Sequence, residues 1–416
     1  MEHLSILCIF CKQQTLRKII DFGKVALAGA FLKPEQFPGE KKYPLCLAFC
    51  EHCYAVQVTE RIHPSVLFKN YFYFSSAIGT LREHFIKYAE DVVNRFLPSP
   101  TTAVVAEIGC NDGILLKHIA EHGVHTVIGI DPAQNVVATI NDPRITVIND
   151  YFDVVVAERA ALKYGQADLV LANNVFAHIE DIHSVTEGVK KLLKDDGIFI
   201  FEVHYLGKIL EELQYDFIYH EHLFYYSLLA LENHLVSHDM VIFDVQPISI
   251  HGGSMRYYAC KKTSMHAKHI SKAVDKLRAD ERLKRYDSFD RYAQFAKKCA
   301  QRRNELISLL NRLQNEKKRI VGYGASGRAN TIMQYCGIDQ QYIECVIDDA
   351  PMKQGYYTPG THVPICNKQV LTTQPDYVLI FAWTFYNEIA NKSTNYISNG
   401  GRFIIPLPTV LLYPTK

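Results

Sequence analysis

Five short apolar runs, Ala103–Ile108, Thr126–Ile130, Ile145–Ile148, Asp168–Leu171 and Gly197–Val203, are separated by stretches whose apolar residues recur at helical spacing. Strands that are apolar throughout are buried on both faces, and helices cover both faces of a parallel sheet. The pattern commits the middle of the chain to an α/β fold. Two later runs, Met240–Ile250 and Met255–Cys260, flank His251-Gly-Gly-Ser254 and read as an antiparallel hairpin at the edge of that sheet.

The turn after the first strand carries Glu107-Ile-Gly-Cys-Asn-Asp-Gly113, and the second strand ends in Asp131. A glycine at position 109 lets the backbone approach a ligand, with a helix starting beside it. A carboxylate ending the next strand suits the two hydroxyls of a ribose. The pair points to an adenosine cofactor. Its spacing, E-x-G-x-x-x-G, lacks the tight G-x-G-x-x-G turn that cradles a pyrophosphate, so S-adenosylmethionine, with an amino acid at that place, fits better. Glu107, Gly109, Asn111, Gly113 and Asp131 are the cofactor candidates, with Tyr151 and Phe152 placed to sandwich an adenine and Asn173 at the end of the fourth strand. Ligands of open α/β sheets bind at the carboxyl edge, so Asn174 and His178 are expected to face the chemistry.

Cys8-Ile-Phe-Cys11 and Cys50-Glu-His-Cys53 form a C-x2-C…C-x2-C arrangement in an otherwise irregular stretch. Two such knuckles supply four thiolates to a tetrahedral Zn²⁺, and four closed ligands leave no position open for substrate. A structural zinc holding a small module, residues 1–72, is the reading. Residues 73–265 then form the cofactor-binding domain and 266–318, charged and free of Pro and Gly, a helical connector. Residues 319–416 form a second α/β unit with Rossmann-like logic.

Leu213-Gln-Tyr-Asp-Phe-Ile-Tyr-His-Glu-His-Leu-Phe-Tyr-Tyr-Ser-Leu228 mixes aromatic and ionisable residues as a closed polar pocket does. Three readings stay open. His220 and His222 bind a metal, or they are satisfied structural histidines, or His222 is a general base held by Tyr219 and Glu221. The C-terminal unit opens with Gly322-Tyr-Gly-Ala-Ser-Gly327 and carries Asp348-Asp349 after its next strand. By pattern this is a nicotinamide fingerprint, which keeps an NAD(P)-dependent nucleotide-sugar oxidoreductase open as an alternative.

The chain has 416 residues and a net charge of +1. No global field or basic stripe draws it to nucleic acid, which weighs against a nucleic-acid methyltransferase. No stretch is apolar for long enough to span a bilayer and the start lacks a secretory pattern, so a cytoplasmic protein with no membrane partner is expected.

Taken together and in order, the knuckles, Tyr71-Phe-Tyr-Phe-Ser-Ser76, Glu107–Gly113, Asn173-Asn-Val-Phe-Ala-His178, Tyr219-His-Glu-His222, His251-Gly-Gly-Ser-Met-Arg256 and Gly322–Gly327 resemble the zinc-containing sugar C-methyltransferases. That family acts on nucleotide-linked deoxyketohexoses in branched-sugar biosynthesis. The resemblance implies a class I methyltransferase domain between a zinc module and a C-terminal Rossmann-like domain. It implies methyl transfer from adenosylmethionine to C3 of a 4-keto sugar. His222 would be the base, Tyr219 and Glu221 its partners, Asn174 and His178 contacts to the sugar, and Tyr71 or Tyr73 a wall of the pocket. His251, Ser254, Arg256, Gly324, Ser326, Gly327, Arg328 and Lys353 would hold the nucleoside-diphosphate keto-sugar. A monomer is expected, since one chain supplies both ligand-binding halves.

Overall fold

The computed structural model describes residues 4–63, 66–67, 75–77 and 79–414; Tyr71 and Tyr73 lie outside them. Three sheets organise the chain.

The N-terminal sheet contains β1 (Leu16–Ala26), β2 (Lys42–Cys50) and β3 (Val56–Val58), paired antiparallel in that order. This corrects the expectation of an irregular module. The strands are long, but register shifts between Lys18 and Ile20 and between Asp21 and Lys24 break the alternation of buried and exposed positions. A period of two is the sequence signal of a half-buried strand, and bulges erase it.

The central sheet is built on β4 (Val104–Ile108), β5 (Thr126–Ile130), β6 (Ile145–Ile148), β7 (Ala167–Asn173) and β8 (Leu193–His204), all parallel. A two-residue strand, β9 (Phe224–Tyr225), leaves this region and completes the N-terminal sheet beside β3. The chain then returns through β10 (Met240–Ile248) and β11 (Ser254–Lys261), giving the order β10-β11-β8-β7-β4-β5-β6 with β11 antiparallel to both neighbours. β4, an interior strand, is buried along its whole length, Glu107 included.

Helices Lys272–Leu283 and Phe289–Asn315 cross to the last unit. The second is charged outside, but its Phe289, Tyr292, Phe295 and Cys299 are buried, and Tyr292 stacks on Phe49 of the N-terminal sheet with centroids 4.4 Å apart. The final sheet has the order β14-β13-β12-β15-β16-β17, from β12 (Ile320–Tyr323), β13 (Val346–Ile347), β14 (Ile365–Cys366), β15 (Tyr377–Ile380), β16 (Arg402–Ile405) and the antiparallel β17 (Leu411–Tyr413). One apolar cluster runs through the N-terminal sheet, the long helix and this last sheet, so the three units share buried surface. No helix among the described residues is long and apolar enough to cross a membrane.

Candidate active site

At the carboxyl end of β4 the chain turns through Gly109, with φ +67, and Gly113, with φ +73. A Cβ on Gly109 would stand 2.7 Å from Val175 Cγ2, so the approach of the two loops depends on glycine there. Asp131 closes the turn: its Oδ2 accepts the Asn111 amide at 3.0 Å and its Oδ1 the Ala133 amide at 2.8 Å. The Asn111 and Asp112 side chains accept the amides of Ser75 and Ser76, at 2.9 and 3.0 Å, which brings the chain before helix Gly79–Phe96 over the turn. Glu107 is buried, and burial pushes its carboxyl up to about 8; Asn173 donates to one oxygen at 2.9 Å and the other has no hydrogen-bond partner. Phe152 packs into the core beside Gly188, whereas Tyr151 is exposed, so these neighbours do not form a two-sided clamp.

One strand further on, Asn174 adopts φ +55 and its amide donates to the Glu202 carbonyl at 2.8 Å. The short turn Phe176–His178 follows. The amide of Leu223 donates to Ala177 O at 2.9 Å, which draws the Tyr219–His222 segment onto this turn. The His178 and His222 rings meet edge to face, with centroids 4.8 Å apart. Tyr225 fixes the other end of the segment: its hydroxyl donates to Phe217 O at 3.0 Å and accepts the Tyr219 amide at 3.3 Å.

His222 Nε2 lies 3.1 Å from the Tyr219 hydroxyl. Burial, reinforced by His178 and His204, holds its pKa well below the ordinary histidine value, so the ring is neutral at pH 7. Burial likewise lowers His178 to about 4 and lifts Glu221 to about 7. The site therefore holds neutral imidazoles and a carboxyl poised to exchange its proton near neutrality, which are groups able to take and return a proton. His220 is turned away, its Nε2 2.9 Å from Pro44 O, and the paired-metal reading of His220 and His222 falls with it.

Further residues line the same region, and of these Glu202, His84 and His204 were not among the sequence candidates. Glu202, opposite Asn173 across β7 and β8, is fully buried; His84 Nε2 meets it at 2.9 Å and Arg256 at 2.6 Å. Burial pushes this carboxylate up, but His84 and Arg256 outweigh it and hold it below the ordinary value. Arg256 also stacks on Tyr88 at 3.5 Å, so its guanidinium is committed to this cluster. His204 Nε2 donates to Gln214 Oε1 at 2.7 Å and its ring stacks on Phe217 at 3.9 Å. His251, with φ +52, has its pKa lowered to about 4 by burial, and Ser254 beside it bonds to Ile250 O at 3.3 Å. A lone acid in the apolar run Gly197–Val203 was the one signal for Glu202; His84 sits on an ordinary helical face and gave none.

The C-terminal glycine turn repeats the logic of the first. Gly324 has φ +94, and Asp348, on the next strand's end, accepts the Ala325 amide at 2.9 Å and the Ala350 amide at 2.9 Å. Ser326 caps helix Gly327–Cys336. Lys353 reaches back to Ala325 O at 2.8 Å and Asp348 at 3.3 Å. Arg328 is bound to buried Asp216 at 2.7 Å, with Trp383 donating to the same oxygen at 2.9 Å. A Cβ on Gly327 would lie 3.6 Å from the Tyr219 ring, and one on Gly29 3.3 Å from Glu221 Oε1. The Tyr219–His222 segment thus sits where all three units meet.

Away from this cleft, Cys8 and Cys53 have their sulfurs 3.6 Å apart, as do Cys11 and Cys50, and all four lie within 4.8 Å of one another. A tetrahedral zinc with Zn–S of about 2.3 Å needs edges a little under 4 Å. Cys8 and Cys53 are held above the ordinary thiol value by Cys50, which is itself held below it by hydrogen bonds from Cys53 and Cys8. A divalent cation at the centre resolves that conflict, so the donor set fits zinc.

A seven-stranded sheet of this order, with a glycine turn after β4 and Asp131 after β5, defines a class I adenosylmethionine-dependent methyltransferase fold. Family profiles match in the same three units: a zinc binding domain over residues 8–68, a methyltransferase domain over 81–239 and a C-methyltransferase C-terminal domain over 249–408. C-methyltransferase NovU of Streptomyces niveus is 34% identical over 403 residues, 96% of this chain and 95% of the relative. The chain belongs to the C-methyltransferase family. A shorter likeness, 34% over 101 residues, links 23% of the chain to 41% of the ubiquinone biosynthesis O-methyltransferase of Escherichia coli O9:H4. Among solved structures, magnesium protoporphyrin IX methyltransferase from Synechocystis PCC 6803 aligns with 43% of this chain and 82% of its own at 15% identity and a TM-score of 0.33. With this membership the oxidoreductase reading of the C-terminal glycines gives way.

Proposed function

We propose that this C-methyltransferase methylates a nucleotide-linked keto-deoxyhexose at C3, beside a C4 ketone. The observation that carries the reading is the Tyr219–His222 pair, 3.1 Å apart, set against His178 on one side and Gly327 of the C-terminal turn on the other. A carbon beside a ketone is weakly acidic, and a base must remove its proton while donors stabilise the enolate. His222, neutral at rest, takes that proton; Tyr219 positions its ring and Glu221 returns or accepts protons near neutrality. Asn174 and His178, at the carboxyl edge of the sheet, face the sugar oxygens. Adenosylmethionine, when bound along Glu107–Gly113 and Asp131, supplies the methyl group as a sulfonium. The backbone amides of Ser326 and Gly327, at the start of helix Gly327–Cys336, suit the diphosphate. The cysteine site is structural zinc, and the chain acts as a cytoplasmic monomer without nucleic acid.

The test is solvent exchange. With labelled nucleotide keto-sugars in D2O, the wild type exchanges hydrogen at the sugar carbon, and His222→Ala loses exchange while still binding adenosylmethionine. Exchange retained by the variant removes His222 from the role, and no exchange or methylation with any keto-sugar removes the substrate class.

A further inference from the structure

We propose that His183, His234 and His238 form a second metal site, for a divalent ion of the zinc class, that clamps the first cysteine knuckle to the central domain. His183 lies on helix Ile182–Leu192, His234 on helix Leu228–Val236 and His238 just beyond it. One ring nitrogen of each falls within 4.8 Å of one ring nitrogen of the other two.

The hydrogen bonds on the outer side of each ring fix where its proton sits. His183 Nε2 is 2.8 Å from Phe10 O and 3.2 Å from Ile9 O; carbonyls only accept, so this nitrogen carries hydrogen. His238 Nδ1 is 2.6 Å from a Glu187 carboxylate oxygen, which places hydrogen there too. His234 Nε2 is 2.8 Å from Thr186 Oγ1, whose own hydrogen goes to Ile182 O at 2.7 Å, so His234 Nε2 is the donor. Each inner nitrogen is left with a lone pair.

Two of these, His183 Nδ1 and His238 Nε2, face each other at 2.8 Å. Two lone pairs at that distance repel, and either a proton shared between the rings or a metal ion removes the repulsion; only the metal also engages the third nitrogen. The third, His234 Nδ1, is buried without a hydrogen-bond partner in a side chain only 3% exposed. An orphaned buried nitrogen is destabilising unless something is bound to it. Three neutral imidazoles whose outer N–H groups are held by a carbonyl, a carboxylate and a hydroxyl have the outer shell of a metal centre, and imidazole nitrogen selects zinc-like ions. Zinc–nitrogen distances of about 2.0–2.1 Å set tetrahedral ligand nitrogens about 3.4 Å apart, so the 2.8 Å pair opens to admit the ion. His183 is half-buried, which leaves the fourth position to water.

Ile9 and Phe10 are the two residues between Cys8 and Cys11, so the two metal sites share a knuckle. The full-length protein, loaded with Zn²⁺ and passed over a chelating resin, is expected to retain two metal ions per chain by mass spectrometry. His234→Ala/His238→Ala should retain one. On Co²⁺ titration the first-filled cysteine site gives thiolate-to-cobalt charge transfer, and the second equivalent adds only weak visible bands; the double variant loses that second phase and keeps the first. One ion per wild-type chain, or a wild-type titration ending after one equivalent, overturns the proposal without reference to any variant. Two ions retained by the double variant overturn it equally.

Discussion

Replacing Glu107 by Gln tests whether the first turn of the central domain stores an electrostatic cost. The carboxyl is 3% exposed, with one oxygen bound by Asn173 and the other unpartnered. Its pKa rises from an ordinary 4.5 to about 8, chiefly through burial. Above pH 4.5 the unfolded chain releases this proton while the folded chain keeps it, so folding loses stability as pH climbs; the loss levels off once pH passes 8 and both states are ionised. At about 1.4 kcal/mol per pH unit, the cost is below ~1 kcal/mol at pH 5, roughly 3 kcal/mol at pH 7 and roughly 4 kcal/mol at pH 8. Glutamine keeps the acceptor for Asn173 and cannot ionise. Urea titrations of both proteins followed by far-ultraviolet circular dichroism at pH 5 to 8, without adenosylmethionine, should therefore diverge with rising pH in favour of the variant. A constant difference across that range would refute the reasoning.

Arg328→Met leaves Asp216 buried and uncompensated and is expected to cost about 3–5 kcal/mol, with Asp216→Asn restoring most of it; Trp383, bound to the same carboxylate, reports the loss by fluorescence. Gly109→Ala places a methyl 2.7 Å from Val175 at a positive φ, and should cost about 1–3 kcal/mol and at least tenfold in adenosylmethionine affinity by calorimetry, with Val175→Ala recovering part. In Glu221→Gln, which removes the carboxyl poised near 7, the pH profile of kcat/KM should lose activity on the acid side only well below 6.5, because His222 stays neutral to lower pH than an ordinary histidine; an acid limb at or above 6.5 in this variant excludes His222 as the titrating base.

The central sheet was legible because its strands are buried on both faces, and short apolar runs such as Thr126–Ile130 need no alternation to be seen. The bulged β1 and the two-residue β9 were not, since neither carries a period. Site residues followed the same division. Asp131 and Gly109 announce themselves by spacing along one βαβ unit, and the Tyr219–His222 cluster by composition. At His220 the spacing left a metal pair and a satisfied histidine both open, and the structure favours the latter, because i and i+2 share a face only in a regular strand and this segment is a turn. Glu202, His84 and Arg256 converge from three elements, and the guanidinium of Arg328 finds Asp216 across more than a hundred residues. Such partners are set by tertiary packing, which one sequence does not display.

The strand β9 begins two residues after His222 and is hydrogen-bonded to the edge of the cysteine-bearing sheet. The small N-terminal unit is therefore no cassette that recombination can exchange between methyltransferases. Grafted onto a foreign core, it would arrive with an unfilled edge, and the core would surrender the anchor that sets its proposed base. The two must be inherited, and must diverge, as one piece.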